Sequence, residues 1–128
     1  MIKKEAKYQT KFNHWLKEVY KKSAVFELKQ TQGSSIPFDS VVPHQIAALT
    51  AVNEGTFVFK IPDAGFQNPF DCFCLTQMPA YVVLCFPESM EVIPISGFLL
   101  EKERSKRKSI TYDRAKAIST ITIFNTKL

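Results

Sequence analysis

The sequence predicts an α+β fold, with a central mixed β-sheet flanked by helices, for three reasons. Apolar residues recur at helical spacing in the first part of the chain and again after residue 43. Short runs rich in β-branched and aromatic residues, which are typical of strands, lie between and after these segments. The length of 128 residues and the hydrophobic fraction of 45% suit one domain, 1–128, with a substantial core.

The first half of the chain predicts a helix, a strand, a loop and a second helix in turn. An apolar stripe opposite a lysine-rich face predicts a helix over 5–22. The members of the stripe are Tyr8, Phe12, Trp15, Leu16 and Val19. The run 24–31 predicts a strand, and the segment 32–37, which contains glycine and proline, predicts a loop. The second helix begins near Pro43, because proline suits a first helical turn, and ends at 53–55.

Four further strands are predicted in the middle of the chain. Segments 56–61 and 70–75 are short and apolar, and a turn separates them. The continuous apolar run 80–86 favours a central strand buried on both faces. The run 91–100 contains Pro94, which cannot donate a ladder hydrogen bond, and this indicates an edge strand.

The last part of the chain predicts a loop, a short helix and a strand. The mixed-charge run 101–108 predicts an exposed loop. A helix over 112–118 follows, and either Ser109 or Thr111 can cap it. The alternating pattern at 120–124 predicts a final strand.

Composition restricts the class of protein. No apolar run reaches the roughly 18 residues of a membrane span, and the amino terminus lacks the apolar stretch of a signal peptide, so we expect a cytoplasmic protein without a membrane partner. The three cysteines, Cys72, Cys74 and Cys85, are too few for a disulfide framework and predict buried structural thiols. The formal net charge of +5 is compatible with a polyanionic partner.

The strand 24–31 carries an acid and an amine on one face. Side chains alternate along a strand, so Glu27 and Lys29 share a face while Phe26 and Leu28 point into packing. Charged side chains are rarely buried without a partner or a metal. Two explanations remain open: a solvated edge strand with an incidental ion pair, or a chemical site.

Other polar residues lie at positions that suit such a site. Asp71 stands near the start of a short apolar strand, where an acid is unexpected. His44 and Gln45 lie in the first turn of the second helix, where they can overhang the preceding strand or hydrogen-bond the helix end. Glu5 flanks the apolar stripe of the first helix, and its charge also suits a helix amino terminus.

The strand with Glu27-Leu28-Lys29, the helix opening with Gln45 and the strand opening with Pro69-Phe70-Asp71 together resemble the PD-(D/E)xK nuclease superfamily. Within it, they resemble the small Holliday junction resolvase-like enzymes, including those of phages. The resemblance covers roughly residues 5–86 and implies a restriction-endonuclease-like core. It also implies a Mg²⁺- or Mn²⁺-dependent endonuclease that hydrolyses DNA, with branched DNA among its substrates.

The resemblance also assigns roles to individual residues. Glu27 and Asp71 would bind the metal, and Glu5 would complete the metal site from the first helix. Lys29 would lie beside the attacking water and the scissile phosphate. Gln45 would be the polar helix residue at the rim of the site.

The chain order departs from that of the family. Asp71 follows the Glu27-Leu28-Lys29 strand here, whereas the aspartate strand usually comes first, so the resemblance implies a circular permutation. Asp63 forms a literal Pro-Asp pair, but it begins a turn rather than an apolar strand and ranks below Asp71.

Partners follow from charge and from the resemblance. Lysines of the first helix and the cations of 102–108 are candidates for phosphate contacts with DNA, or they form ordinary solvated faces. The resemblance implies a homodimer, because a branched DNA has two strands to cut. Two alternatives stay open: a non-catalytic nucleic-acid-binding module that retains the nuclease fold, and an unrelated α+β protein with scattered surface charges.

Overall fold

The computed structural model describes the backbone of residues 3–60 and 72–125 and the side chains of residues 7–55 and 77–125. The helices in this part of the chain are α1 (Lys3–Trp15), α2 (Pro43–Glu54), α3 (Ile95–Arg104) and α4 (Tyr112–Ile118). The strands are β1 (Val25–Gln30), β2 (Ser35–Pro37), β3 (Thr56–Lys60), β4 (Cys72–Thr76), β5 (Ala80–Cys85), β6 (Ser89–Pro94), β7 (Ser109–Thr111) and β8 (Ile121–Phe124). None of these helices is long and apolar enough to cross a membrane.

The central sheet is mixed and has the strand order β1-β5-β6-β8. Strand β1 runs parallel to β5, with Glu27 opposite Val82 and Lys29 opposite Leu84. Strand β6 is antiparallel to both β5 and β8. The pairs β2–β7 and β3–β4 form two small antiparallel sheets. A mixed sheet flanked by helices confirms the predicted α+β class.

Each face of the central sheet packs against its own helices. One face, the α1 face, joins Phe12 of α1 to Phe26 of β1 and Val83 of β5. The other face, the α2 face, joins Leu49 of α2 and Phe98 of α3 to inward-pointing residues of β5 and β6. Phe26 and Leu28 lie on the α1 face, as the alternation along β1 predicts. Glu27 and Lys29 therefore lie on the α2 face.

The predicted helix at 5–22 is observed as α1 followed by a π-helical turn, Leu16–Tyr20. Tyr8, Phe12, Trp15 and Leu16 contact the α1 face as predicted, but Val19 is exposed. The wider π-helical turn changes the angle per residue and so moves Val19 out of the stripe. Lys21, in the left-handed conformation, ends this segment.

The prediction for residues 91–108 was partly wrong. Strand β6 is a buried inner strand rather than an edge strand, and it ends at Pro94. Pro94 is the cap of α3, which occupies residues predicted as strand and loop. Proline at the last strand position costs no inner ladder bond, which explains why β6 can lie inside the sheet. Only 105–108 remain as loop.

The short strands β2 and β7 were not predicted, whereas the burial of Cys85 was. The sequence did not predict β2 and β7, because strands of three residues carry too little alternation to be recognised. Strand β5 is buried on both faces, as predicted, and carries the buried thiol of Cys85. The side chains of Cys72 and Cys74 lie outside the described residues.

The structure selects Thr111 as the cap of α4, because its hydroxyl accepts a hydrogen bond from the Arg114 amide at 3.3 Å. We expect Thr111→Ala to lower the free energy of unfolding by about 1 kcal/mol, measured by denaturant unfolding, and Thr111→Ser to lower it less. Ser109→Ala is the matched control and should change stability by less than about 0.5 kcal/mol. Equal losses in Thr111→Ala and Ser109→Ala would contradict the assignment.

Candidate functional site

The acid and the amine predicted to share a face of β1 do lie side by side. Lys29 Nζ is 4.0 Å from Glu27 Oε2, which is the distance of an ion pair but too long for a good hydrogen bond. Their neighbours on β5, Val82 and Leu84, are fully buried. The backbone positions of the two charged residues are thus set by pairing with a buried apolar strand.

Both heads remain accessible to a ligand. The side chains of Glu27 and Lys29 are 30% and 23% exposed. Strand β1 is an edge of the central sheet within the described residues, so no further described strand covers this side of the pair. A partly exposed ion pair adds little to stability, about 0–1 kcal/mol, because water screens it. The arrangement therefore leaves the carboxylate and the ammonium open to other charges.

Helix α2 contributes polar residues near its first turn. The side-chain oxygen of Gln45 accepts a hydrogen bond from the Val42 amide at 3.1 Å, at the start of the helix. This contact satisfies an amide that the helix itself leaves without a partner. His44 is exposed. Gln45 therefore makes a helix-end hydrogen bond of the kind that the sequence left open. This bond uses the side-chain oxygen and not the side-chain nitrogen.

The remaining predicted residues cannot be placed. Glu5 belongs to α1, which packs on the α1 face, but its side chain lies outside the described residues. Asp71 and Asp63 also lie outside the described residues. Within the part of the chain described here, no three His, Cys, Asp or Glu side chains converge as metal ligands. The structure therefore brings together Glu27 and Lys29, and the convergence with Asp71 stays a prediction.

The cations predicted to contact phosphate are distributed between α3 and the loop that follows it. Lys102 forms an ion pair with Asp39 at 3.5 Å. Arg104 lies in the last turn of α3, and Lys106, Arg107 and Lys108 are exposed in the loop. Among the described residues, these four cations form no salt bridge. They are available to a polyanion.

Sequence reasoning missed one residue of this region, Arg114 of α4. Its guanidinium donates two hydrogen bonds to Glu101 of α3, from Nε to Oε2 at 3.0 Å and from Nη2 to Oε1 at 2.9 Å. The two residues are 13 positions apart on different helices. Local pattern carries no signal for such a pair, because it depends on how α3 and α4 pack.

Comparison with protein-family models, with curated proteins and with solved structures finds no match for the chain.

The pair on β1 has definite chemical possibilities. A carboxylate with one-third of its surface exposed offers oxygen ligands to a hard divalent cation. An ammonium fixed beside it can stabilise negative charge that develops on a bound phosphate. Neither group alone hydrolyses a phosphodiester, but together they form part of the set that such a reaction needs.

Proposed function

We propose that the chain is a metal-dependent nuclease of the PD-(D/E)xK type that hydrolyses DNA phosphodiester bonds, with branched DNA as the candidate substrate. The observation that carries the proposal is the juxtaposition of Glu27 and Lys29, 4.0 Å apart and partly exposed on an edge strand. An incidental surface pair needs no buried neighbours, whereas these two residues pair with Val82 and Leu84, which are fully buried in β5.

The residues present fit a divalent cation. The Glu27 carboxylate is a hard oxygen ligand, and its closest described charge partner, Lys29, lies too far away to occupy it by hydrogen bonding. Asp71 is the proposed additional ligand, whereas α1, which carries Glu5, packs on the sheet face opposite Glu27. A bound divalent cation supplies positive charge at the phosphate and a water of lowered pKa.

The chain's own residues have separate tasks in this proposal. Glu27 binds the cation and orients it relative to the sheet. Lys29 holds a positive charge where the scissile phosphate becomes more negative, and its backbone is held by pairing with Leu84 of β5. Gln45 keeps the start of α2 in place through its contact with Val42. Phosphate binding away from the reacting bond falls to the exposed cations that follow α3.

Metal binding gives the first test of this proposal. Carboxylates that converge repel one another, and a divalent cation relieves the repulsion, so millimolar Mg²⁺ or Mn²⁺ should raise the melting temperature by a few degrees. Asp71→Asn and Glu27→Gln should each abolish the increase, whereas Glu18→Gln, an exposed carboxylate on the π-helical turn, should leave it intact. No increase in the wild type would remove the metal site from the proposal.

Cleavage of DNA gives the second readout of the same test. Four-way junction, duplex and single-stranded DNA are incubated with Mn²⁺ or with EDTA, and products are resolved on denaturing gels. We expect metal-dependent cleavage, with the junction cut in both strands if the enzyme is a homodimer, which sedimentation measures independently. Binding without cleavage under all conditions would favour the alternative, a nucleic-acid-binding module that retains the nuclease fold.

A further inference from the structure

A groove between α3 and α4 lies outside the Glu27–Lys29 pair and has its own chemistry. Its volume is about 360 Å³. The residues that line it are Gly97, Leu100, Glu101, Arg104, Ser105, Arg114 and Ile118. On α3, Gly97, Leu100, Glu101 and Arg104 follow the i, i+3, i+4, i+7 spacing of one helix face. On α4, Arg114 and Ile118 are one turn apart. The volume falls within the range of small-ligand sites.

The groove combines an apolar surface with a flat cation. Leu100 is 45% exposed and lines the groove with its apolar side chain. Gly97 adds no side chain, and Ile118 supplies a second apolar wall. Arg114 is 56% exposed beside them. An apolar floor with an exposed guanidinium presents surfaces that a planar ring can contact on its face.

Glu101 fixes the plane of the Arg114 guanidinium. The two parallel hydrogen bonds occupy two of the five N–H donors and hold the group in one orientation. The hydrogen bond from Arg114 lowers the pKa of the Glu101 carboxyl and outweighs its partial burial, which acts in the opposite direction. The Glu101–Arg114 pair therefore stays ionised at pH values at which an isolated glutamate would be protonated. The guanidinium, in a side chain that is 56% exposed, keeps three N–H donors for a ligand.

Positive charge lies in the groove at Arg104 and continues along the chain beyond it. Arg104 lies at the carboxyl end of α3, and Lys106, Arg107 and Lys108 follow in the exposed loop. Among the described residues 103–108, one acid, Glu103, and four cations form no salt bridge. Positive charge therefore exceeds negative charge in this segment. A ligand that carries phosphate would be attracted to this end, while its apolar or aromatic part lies over Leu100.

We infer that this groove binds one nucleotide of a single-stranded nucleic acid, with the base stacked on Arg114 and Leu100 and the phosphate at Arg104. Bases stack on arginine planes, and backbone phosphates follow grooves lined by cations. An acidic peptide would match the charge but not the flat, partly apolar floor. The inference does not depend on the proposed nuclease activity, because it concerns binding by other residues on other elements.

The experiment compares two probes that carry the same phosphates. One is a short fluorescent oligothymidylate, and the other is an abasic oligomer of equal length. Binding is followed by fluorescence anisotropy in EDTA, so cleavage plays no part in the readout. We expect the full-length wild type to bind the oligothymidylate about tenfold more tightly than the abasic oligomer, because stacking adds to phosphate contact.

Arg114→Lys is the central variant, because it keeps the charge and removes the plane. It should erase the preference for the oligothymidylate while changing abasic binding by less than about twofold. Leu100→Gln serves as a second variant that leaves the ion pair intact, and it should reduce the preference by about threefold. Melting curves confirm that both variants are folded.

Arg104→Ala and Lys106→Ala form a matched pair that tests the phosphate position. Each removes one positive charge, but only Arg104 lines the groove. We expect Arg104→Ala to weaken oligothymidylate binding about tenfold and Lys106→Ala about twofold to threefold. Equal losses in the two, or equal affinity of the wild type for the two probes, would overturn the inference. Competition by polyglutamate as strong as that by oligothymidylate would also overturn it, since it would indicate a general polyanion surface.

Discussion

Replacing Glu91 with alanine should lower the free energy of unfolding by about 3–5 kcal/mol, a large part of the stability of a domain of this size. Glu91 is 0% exposed, in the middle of β6. Its carboxyl oxygens accept hydrogen bonds from Ser119 at 2.9 Å and Thr122 at 2.7 Å, and also from Ser89. Removing the carboxyl takes away an acceptor that three buried or partly buried hydroxyls share, and it leaves a cavity in a close-packed layer.

The same contacts explain why the loss should spread beyond β6. Ser119 follows the last residue of α4 and Thr122 lies in β8, so Glu91 ties the end of α4 and the strand after it to β6. Tyr112 of α4 lies 3.2 Å from the Ser89 hydroxyl and extends the network. We therefore expect amide exchange to increase across 112–124 in Glu91→Ala, and not only next to residue 91.

Two further variants separate hydrogen bonding from packing. Glu91→Gln keeps an acceptor oxygen for Ser119 and Thr122 and should cost about 1–2 kcal/mol, whereas Glu91→Met keeps the volume but no strong acceptor and should cost more. Glu103→Ala, an exposed acid on α3, is the control and should change stability by less than about 0.5 kcal/mol. Denaturant unfolding measures all four. A cost below about 1 kcal/mol for Glu91→Ala would show that the hydroxyl network does not hold the segment.

The inner position of β6 depends on contacts that lie far apart in the sequence. Glu91 is a charged residue within an apolar run, and such a residue is rarely buried without partners. Two of the three groups that donate to it lie 28 and 31 residues further along the chain. Their contribution depends on β8 pairing with β6, which no local pattern encodes. The edge-strand prediction rested on Pro94, because a proline that ends a strand and begins a helix resembles one that interrupts an edge strand.

Where structure depends on neighbours in sequence, the predictions succeeded. The alternation along β1 placed Phe26 and Leu28 in the core and Glu27 and Lys29 on the opposite face. The proline at the start of α2 and the glycine after it bounded that helix closely. These signals succeed because strand periodicity and helix ends arise from the geometry of a few adjacent residues.

The candidate residues also differ in whether local sequence can predict their contacts. The 4.0 Å pair on β1 follows from a spacing of two residues, and it was predictable. A guanidinium clamped by Glu101 across two helices was not, because only tertiary packing brings Arg114 to that position. The proposed meeting of Glu27 with Asp71 is of this second kind. For that reason the decisive evidence for the nuclease proposal is chemical and must come from variants of the β1 pair.

Replacing Lys29 with methionine should lower kcat for DNA cleavage by about 10²–10³-fold and change the affinity for DNA by less than about threefold. Methionine keeps an unbranched apolar stem opposite Leu84 of β5, so the change removes the charge and little apolar volume. An ammonium placed where charge develops acts on the transition state more than on bound substrate, so the loss appears in kcat and not in binding. Single-turnover cleavage with Mn²⁺, together with a binding titration in EDTA, measures the two effects separately.

Glu27→Gln should lower the activity for a different reason, because a neutral amide binds the cation more weakly than a carboxylate does. We expect its activity to fall by at least about 10²-fold at low Mn²⁺ and to recover in part as Mn²⁺ is raised, whereas Lys29→Met should gain nothing from added metal. Because the pair is partly exposed, both variants should fold with losses of about 1 kcal/mol or less, so inactivity cannot be attributed to unfolding. Lys7→Ala and Glu18→Gln, exposed residues of the first helical segment, are the charge-matched controls. If both β1 variants cleave DNA like the wild type, the pair is a structural ion pair and the reacting groups lie elsewhere.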